Sequence, residues 1–181
     1  MQYYEKTQLK DGRTCVLRHA EPADAEAFLA YFHTAHGETD YLTTYPDESM
    51  HSAEEMAEKF AAKVDSPTDI EICAFVDGVL VGSAGNAIVS KREKVRHRAE
   101  FGISIVREFW NLGIGSALTR ASIDCARQAG FAQLELDVVA DNTRAIALYE
   151  KYGFKEYGRN PLGFRTREGK WQELLYMRLV L

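Results

Sequence analysis

Gly113, Ile114 and Gly115 stand between a β-rich run ending at Ile105 and Val106 and a helix whose apolar positions Ile114, Leu118, Ala121 and Cys125 recur at i, i+4, i+7 and i+11. A Gly-x-Gly turn in that place lets a ligand approach the backbone. The first N–H groups of the helix, unpaired within it, face that ligand with a partial positive charge. The chemistry implied is a cradle for phosphate. Close packing of a helix on a strand also demands small residues, so the turn alone supports both readings. A P-loop is excluded because no Gly-Lys-Ser/Thr follows. A dinucleotide fingerprint needs Gly or Ala where Leu118 stands, although Glu135 and Asp137 lie at the spacing of a ribose-binding acid.

Other reactive side chains form no constellation. His19, His33, His36, His51 and His97 match no H-E-x-x-H or similar ligand spacing, and His33 with His36 supplies only two ligands, so no metal is expected. Cys15, Cys73 and Cys125 lack C-x-x-C spacing, which indicates neither a disulfide framework nor a thiolate zinc site and fits a reducing, cytoplasmic compartment. Cys125 falls in the apolar stripe of its helix and reads as a packed thiol. Lys and Arg number 22 against 27 Asp and Glu, a net charge of −5, which argues against a general nucleic-acid binder. The basic run Lys91, Arg92, Lys94, Arg96 and Arg98 reads as a solvated connection. No window approaches the ~20 apolar residues of a membrane span, and the first residues lack the apolar run of a signal peptide.

These groups must be positioned by ordinary elements. A chain of 181 residues can bury roughly 70% of its unfolded surface as one domain without disulfides. A β-rich run over 14–18 leads to a helix starting at Glu21-Pro22, with Ala25, Phe28, Leu29 and Phe32 at helical spacing. Residues 37–49 read as a loop, and Ser52, three before Glu55, predicts a capping box for a second helix to about Val64. Two β-branched runs, 70–76 and 79–89, are joined by Asp77-Gly78, a hairpin signal. Alternation over 99–106 puts Phe101, Ile103 and Ile105 on one strand face and Glu100, Gly102 and Ser104 on the other. Beyond Gly130, Leu134, Leu136 and Val138 mark a strand. Asp141-Asn142 then caps a helix of Ala145, Leu148, Tyr149 and Tyr152 that Gly153 stops. Strands over about 154–158 and 171–180 complete the order β-α-α-β-β-β-α-β-α-β-β, one α/β domain.

The run Asn142-Thr143-Arg144-Ala145-Ile146-Ala147-Leu148-Tyr149-Glu150-Lys151-Tyr152-Gly153-Phe154, one strand after Trp110-Asn111-Leu112-Gly113-Ile114-Gly115, resembles the GCN5-related N-acetyltransferase (GNAT) superfamily. The resemblance implies a single-domain α/β fold over residues 1–181: a central mixed, mostly antiparallel sheet of about seven strands, splayed between the fourth and fifth, flanked by about four helices. It implies a cofactor-binding core over about 70–154 and acceptor-side helices and loop over about 21–65. The co-substrate would be acetyl-CoA, with no metal. Its pantetheine arm would enter the splay beside backbone groups of Ile105 and Val106. The amides of Leu112, Gly113, Ile114, Gly115 and Ser116, with Asn111 beside them, would hold the pyrophosphate. Trp110 is a departure, since the family usually has Arg or Gln there.

The reaction would move the acetyl group to a primary amine, of a small molecule or a protein amino terminus, by direct attack in a ternary complex. It needs a neutral amine, a polarised thioester carbonyl and a proton for the departing thiolate. Glu100 resembles the family's glutamate base, with a surface carboxylate beside Arg96 or Arg98 as the plainer reading. Tyr149 matches the tyrosine of the family's Asn-x-x-Ala-x-x-Leu-Tyr pattern, its proton donor to sulfur. Asn142 would cap its helix and bond the pantetheine. The 37–49 loop would border the acceptor, where Glu38, Asp40, Tyr41 and Tyr45 are candidates to hold a cationic amine by charge and cation–π contact. A non-catalytic acyl-CoA sensor is the alternative, and it would need neither Glu100 nor Tyr149. Neither nucleic acid nor membrane is expected as a partner. The apolar final strand, residues 174–181, would serve either a homodimer interface or the monomer's own sheet.

Overall fold

The computed structural model describes residues 1–48 and 51–181; Ser49, the last residue of the expected 37–49 loop, lies outside them. Eight strands are seen among the described residues: β1 (Tyr4–Gln8), β2 (Thr14–His19), β3 (Ile70–Val76), β4 (Val79–Ile88), β5 (Arg98–Ile105), β6 (Gln133–Val139), β7 (Lys155–Arg165) and β8 (Trp171–Val180). The helices are α1 (Ala25–Gly37), α2 (Ala53–Asp65), α3 (Ile114–Gln128) and α4 (Thr143–Lys151). The strands form one sheet in the order β1-β2-β3-β4-β5-β6-β8-β7, antiparallel at every junction except β5 with β6.

The strand beyond the expected seven is β1. Its sequence, Tyr-Glu-Lys-Thr-Gln, has no alternation of apolar and polar residues, and none of its side chains is buried. It exists because its backbone pairs with β2 from Tyr4↔Arg18 to Gln8↔Thr14, an edge ladder that side-chain periodicity does not report. The β3–β4 hairpin turns at Asp77 (φ 51°) and Gly78 (φ 79°), both left-handed as a two-residue type I′ loop requires. The capping box of α2 forms: Glu55 N donates to Ser52 Oγ at 3.2 Å and Ser52 N to Glu55 Oε2 at 3.0 Å.

A 3-10 turn over Pro22–Asp24 precedes α1, so the regular helix starts three residues after the proline. Asp24 ends that turn, buried, and takes both Arg18 guanidinium nitrogens at 2.6 and 2.7 Å and the Glu21 N–H at 2.8 Å. Burial alone would raise its pKa, but Arg18 and the Glu21 N–H hold it below the ordinary value. A depressed carboxyl pKa contributes stability that is present above the unfolded value and lost as pH falls through the folded one. Asp24→Asn is therefore expected to cost about 2 kcal/mol at neutral pH by leaving Arg18 without its partner. Urea melts of both proteins at pH 7 and pH 3 check it, and the gap should narrow at the lower pH.

Helices α3 and α4 cover one sheet face, where Ile114, Leu118, Ala121 and Cys125 meet Phe101, Leu134, Leu136 and Val138. Helices α1 and α2 cover β3 and β4 on the other face through Phe28, Tyr31, Met56 and Phe60. Burial raises the Cys125 thiol to about 11, which suits packing and not nucleophilic chemistry. Strand β8 lies between β6 and β7, and Leu174, Leu175, Met177 and Leu179 are buried within this single chain. Its apolar pattern is thus met by the chain's own sheet. Among the described residues no helix is long and apolar enough to cross a membrane.

Candidate active site

The site begins where the sheet divides. Strands β5 and β6 pair at only three positions, Arg98↔Gln133, Ala99↔Leu134 and Glu100↔Glu135. Beyond this fork the β6-facing edge of β5 carries no strand. Val106 donates to the Val81 carbonyl at 3.0 Å, on the β4 side. Successive residues turn their polar groups to opposite edges, so Ile103 and Ile105 turn theirs into the cleft. Val106 is a correction to the sequence reading: its carbonyl accepts from Phe109 N at 3.0 Å, so both its backbone groups are taken. The Trp110 indole Nε1 donates to the Ile105 carbonyl at 2.7 Å, which leaves that residue's N–H and the polar groups of Ile103 for an extended ligand.

The chain reaches α3 through two left-handed residues, Asn111 (φ 65°) and Gly113 (φ 104°). Gly113 is the N-cap, with no side chain capping the helix, and the N–H groups of residues 112–116 have no acceptor among the described residues. A Cβ on Gly113 would meet nothing within 4 Å, so the space above the turn is open and glycine serves its φ. Gly115 serves packing, since its Cβ would lie 3.2 Å from Leu148 Cδ2 and 3.4 Å from Ile105 Cδ1. Leu112 and Ile114 turn their side chains toward the core and offer the site only backbone.

Trp110, standing where a cation is usual, carries one on its face. The Arg144 guanidinium carbon lies 3.6 Å from the ring centroid and that of Arg107 5.4 Å. Burial and then Arg107 pull the Arg144 pKa down. Asn142 Oδ1 accepts from Ala145 N at 3.3 Å, capping α4 and leaving its amide nitrogen as a donor. A cavity of 330 Å³ joins these parts; Ile103, Ser104, Ile105, Gly113, Asn142, Arg144 and Tyr149 line it, with Ala35, Tyr41 and Leu42 from the α1 side. Unpaired backbone N–H groups beside an arginine suit a pyrophosphate, and the open strand edge suits an amide-bearing arm, so the residues fit acetyl-CoA. Gly113→Val is expected to weaken CoA binding about 10-fold or more, because a β-branched residue resists the left-handed φ at a cost of about 1–3 kcal/mol. Calorimetric titration with CoA checks it, and an unchanged Kd would remove the turn from the cofactor site.

Tyr149 is buried, edge-on to Phe101 at 6.1 Å and beside Phe154 at 5.8 Å. Burial raises its pKa, so the phenol holds its proton at neutral pH, and no hydrogen bond to its hydroxyl is made among the described residues. Tyr152 differs: its hydroxyl donates to the Ser116 carbonyl at 2.8 Å and ties α4 to α3.

Glu100 stands at the fork, exposed, on the face opposite Phe101 and outside the cavity wall. Two residues beyond the fork on β6, Asp137 shares the face of Glu135 and Glu100, the one on the α1 side of the sheet, and like Glu100 it is exposed and stands outside the lining of the cavity. Glu135 is held by Arg98, Nη2 to Oε2 at 2.6 Å. Burial, and then the charge of Glu135, raise the Asp137 pKa. Sequence reading passed over Asp137 as a base; the available signal was its alternation with Leu136 and Val138.

A second hollow, of 620 Å³, adjoins the cavity and shares Thr39, Tyr41 and Trp110 with it. Of the residues expected to meet the acceptor, Glu38, Asp40 and Tyr41 line it. Glu38 is partly committed: its Oε2 accepts the Arg107 N–H at 2.6 Å, and its carbonyl accepts from the Arg107 guanidinium. Tyr45 is a correction. Arg167 lies over its ring at 4.1 Å and donates its backbone N–H to the hydroxyl at 3.0 Å, so the chain's own cation takes the place expected for a substrate's. The opposite wall is Thr166, Glu168, Lys170 and Gln172, around the β7–β8 turn. These residues were missed, and they lie more than a hundred positions from the loop they face.

A family model described as the acetyltransferase (GNAT) family matches residues 32–154. The L-amino acid N-acetyltransferase AaaT of Escherichia coli K12 is 32% identical over 91% of this chain and 97% of its own length. The ribosomal protein bS18 alanine N-acetyltransferase of the same organism is 43% identical over 39% of this chain and 47% of its own. The crystal structure of an acetyltransferase of the GNAT family from Streptococcus pneumoniae superposes with a TM-score of 0.89 at 30% identity, covering 92% of this chain and 99% of that one.

Proposed function

The chain belongs to the acetyltransferase (GNAT) family and is an acetyl-CoA-dependent N-acetyltransferase, and from that premise we propose that its acceptor is the amine of a small zwitterion of amino-acid size, acetylated by direct attack. The observation that carries this reading is the second hollow, which opens on the cavity at Tyr41 and Trp110 and brings together groups of both signs. Glu38, Asp40, Asp141 and Glu168 are its acidic groups for an ammonium; its two cations for a carboxylate are Arg107, which also holds the Glu38 carbonyl, and Lys170, 3.7 Å from Asp141. The function named for the E. coli relative supports it.

Bound acetyl-CoA supplies a thioester carbonyl and a thiolate leaving group. The chain's residues do the rest. Asp137, with raised proton affinity, takes the proton of the arriving ammonium, directly or through water. The amine nitrogen forms the new C–N bond, the C–S bond breaks with its electron pair going to sulfur, and Tyr149 gives sulfur a proton. The second proton lost by nitrogen restores the Tyr149 phenol through solvent and Asp137 passes the first to solvent, so one proton is released per turnover. Glu100, on the same face at the fork, serves as a neighbouring charge.

Thiol release from acetyl-CoA, measured against free L-amino acids, their carboxamides, short peptides and diamines, tests the acceptor. Turnover with free amino acids that drops at least 10-fold on amidation supports the reading. Turnover confined to peptides or diamines overturns it.

A further inference from the structure

Ser104 carries a hydrogen bond that the mechanism above does not use. It lies on β5 four residues past Glu100 and on the same face, and it lines the cavity together with Ala35 and Leu42. Tyr31 of α1, one turn before Ala35 and buried, points its hydroxyl at it, 2.8 Å from the Ser104 carbonyl and 2.5 Å from Oγ. Proton accounting settles how the pair is arranged. A phenol has one proton and a carbonyl oxygen can only accept. If both bonds are made, Tyr31 donates to the carbonyl and Ser104 donates its own hydroxyl proton to the Tyr31 oxygen. With its proton committed, the lone pairs of Ser104 Oγ are what it offers the cavity. Burial also raises the Tyr31 pKa, so the phenol stays protonated across the working range and the arrangement does not titrate away.

We propose that Ser104 receives the acceptor amine: its Oγ, locked as an acceptor by Tyr31, takes an N–H of the amine and points the nitrogen's lone pair at the thioester, with Tyr31 acting as the positioning residue. This deepens the reading of the site as an amine acetyltransferase and does not depend on which amine is used. A neutral primary amine has two N–H groups and one lone pair. Engaging one N–H at a fixed oxygen sets the direction of the lone pair, the contribution of orientation to rate. An unlocked serine would turn its proton toward the amine nitrogen and engage the lone pair needed for attack. Tyr31 therefore matters because it holds the serine proton away.

The test is a double-mutant cycle on the best acceptor found for the unmodified enzyme. Ser104→Ala is expected to lower kcat/KM for the amine about 10- to 30-fold, the size of one hydrogen bond to a polar reacting group, with the Kd for CoA by calorimetry unchanged within 2-fold. Tyr31→Phe should lower it by a smaller factor, about 5-fold, again without loss of CoA affinity. Because Tyr31 acts through Ser104, the double variant should be no worse than Ser104→Ala alone. Multiplicative losses, or a Tyr31→Phe loss matched by weaker CoA binding, would make Tyr31 a packing residue and overturn the proposal. An unchanged kcat/KM in Ser104→Ala overturns it directly. Failure of the small-zwitterion reading would be seen separately, in the acceptor profile of the unmodified enzyme.

Discussion

Tyr149→Phe is expected to lower kcat by about 100-fold while the Kd for CoA stays within a few-fold, the signature of a group used in the transition state and not in binding. The substitution removes one oxygen from a ring held on two sides by Phe101 and Phe154, so the packing of α4 on the sheet survives. The hydroxyl makes no hydrogen bond among the described residues, and its loss leaves no stranded partner in the protein. Burial holds the proton on the phenol until a stronger base forms beside it, and a departing thiolate is such a base once it is desolvated. Steady-state kinetics with calorimetry on CoA check this. Unchanged turnover would exclude Tyr149 as the donor, and an equal loss of CoA affinity would make it a binding residue. Leaving groups of lower thiol pKa should narrow the gap between the two proteins, because they need the proton less.

Asp137→Asn is the second large effect, about 100-fold or more in kcat/KM at pH 7, against less than 5-fold for Glu100→Gln. Both substitutions preserve size, so the comparison isolates charge. A base works only when deprotonated, so activity of the unmodified enzyme should rise with pH through the Asp137 pKa, which burial and Glu135 place above the ordinary carboxylate value. Asp137→Asn should flatten that limb, and Glu100→Gln should leave it in place. The reverse pattern would assign the base to Glu100. The neighbouring Arg98–Glu135 pair offers a control: Arg98→Met leaves the Glu135 charge uncompensated two residues from Asp137, and the limb should move to higher pH.

Much of the molecule was legible from local chemistry. The Gly113 turn, the Ser52–Glu55 capping box, the Asp77-Gly78 hairpin and the Asn142 cap each depend on residues within a few positions of one another, and each forms. The apolar stripe of α3 is buried because a period of 3.6 already says which side faces the sheet. What failed was of another kind. Strand β1 has no alternation to read and is held by a backbone ladder. Tyr45 has the right chemistry for a cation, but Arg167 reaches it from the far hairpin. Val106 follows Ile105 in sequence, yet its polar groups turn the other way and are used up by Val81 and Phe109.

By itself the sequence determined the order of elements after β1, the Gly113 turn and the tyrosine on its helix, because turns, caps and stripes are short-range and their causes lie within a few residues. Only the tertiary structure decided where β5 and β6 part, that Arg144 rests on Trp110, that Asp137 shares a sheet face with Glu100, and that the Tyr31 hydroxyl meets Ser104. Those facts join residues tens of positions apart, from 31 with 104 to 40 with 168, and no spacing along the chain encodes them. They follow from which strands pair and for how many residues, a choice made by the packing of the whole sheet against its helices.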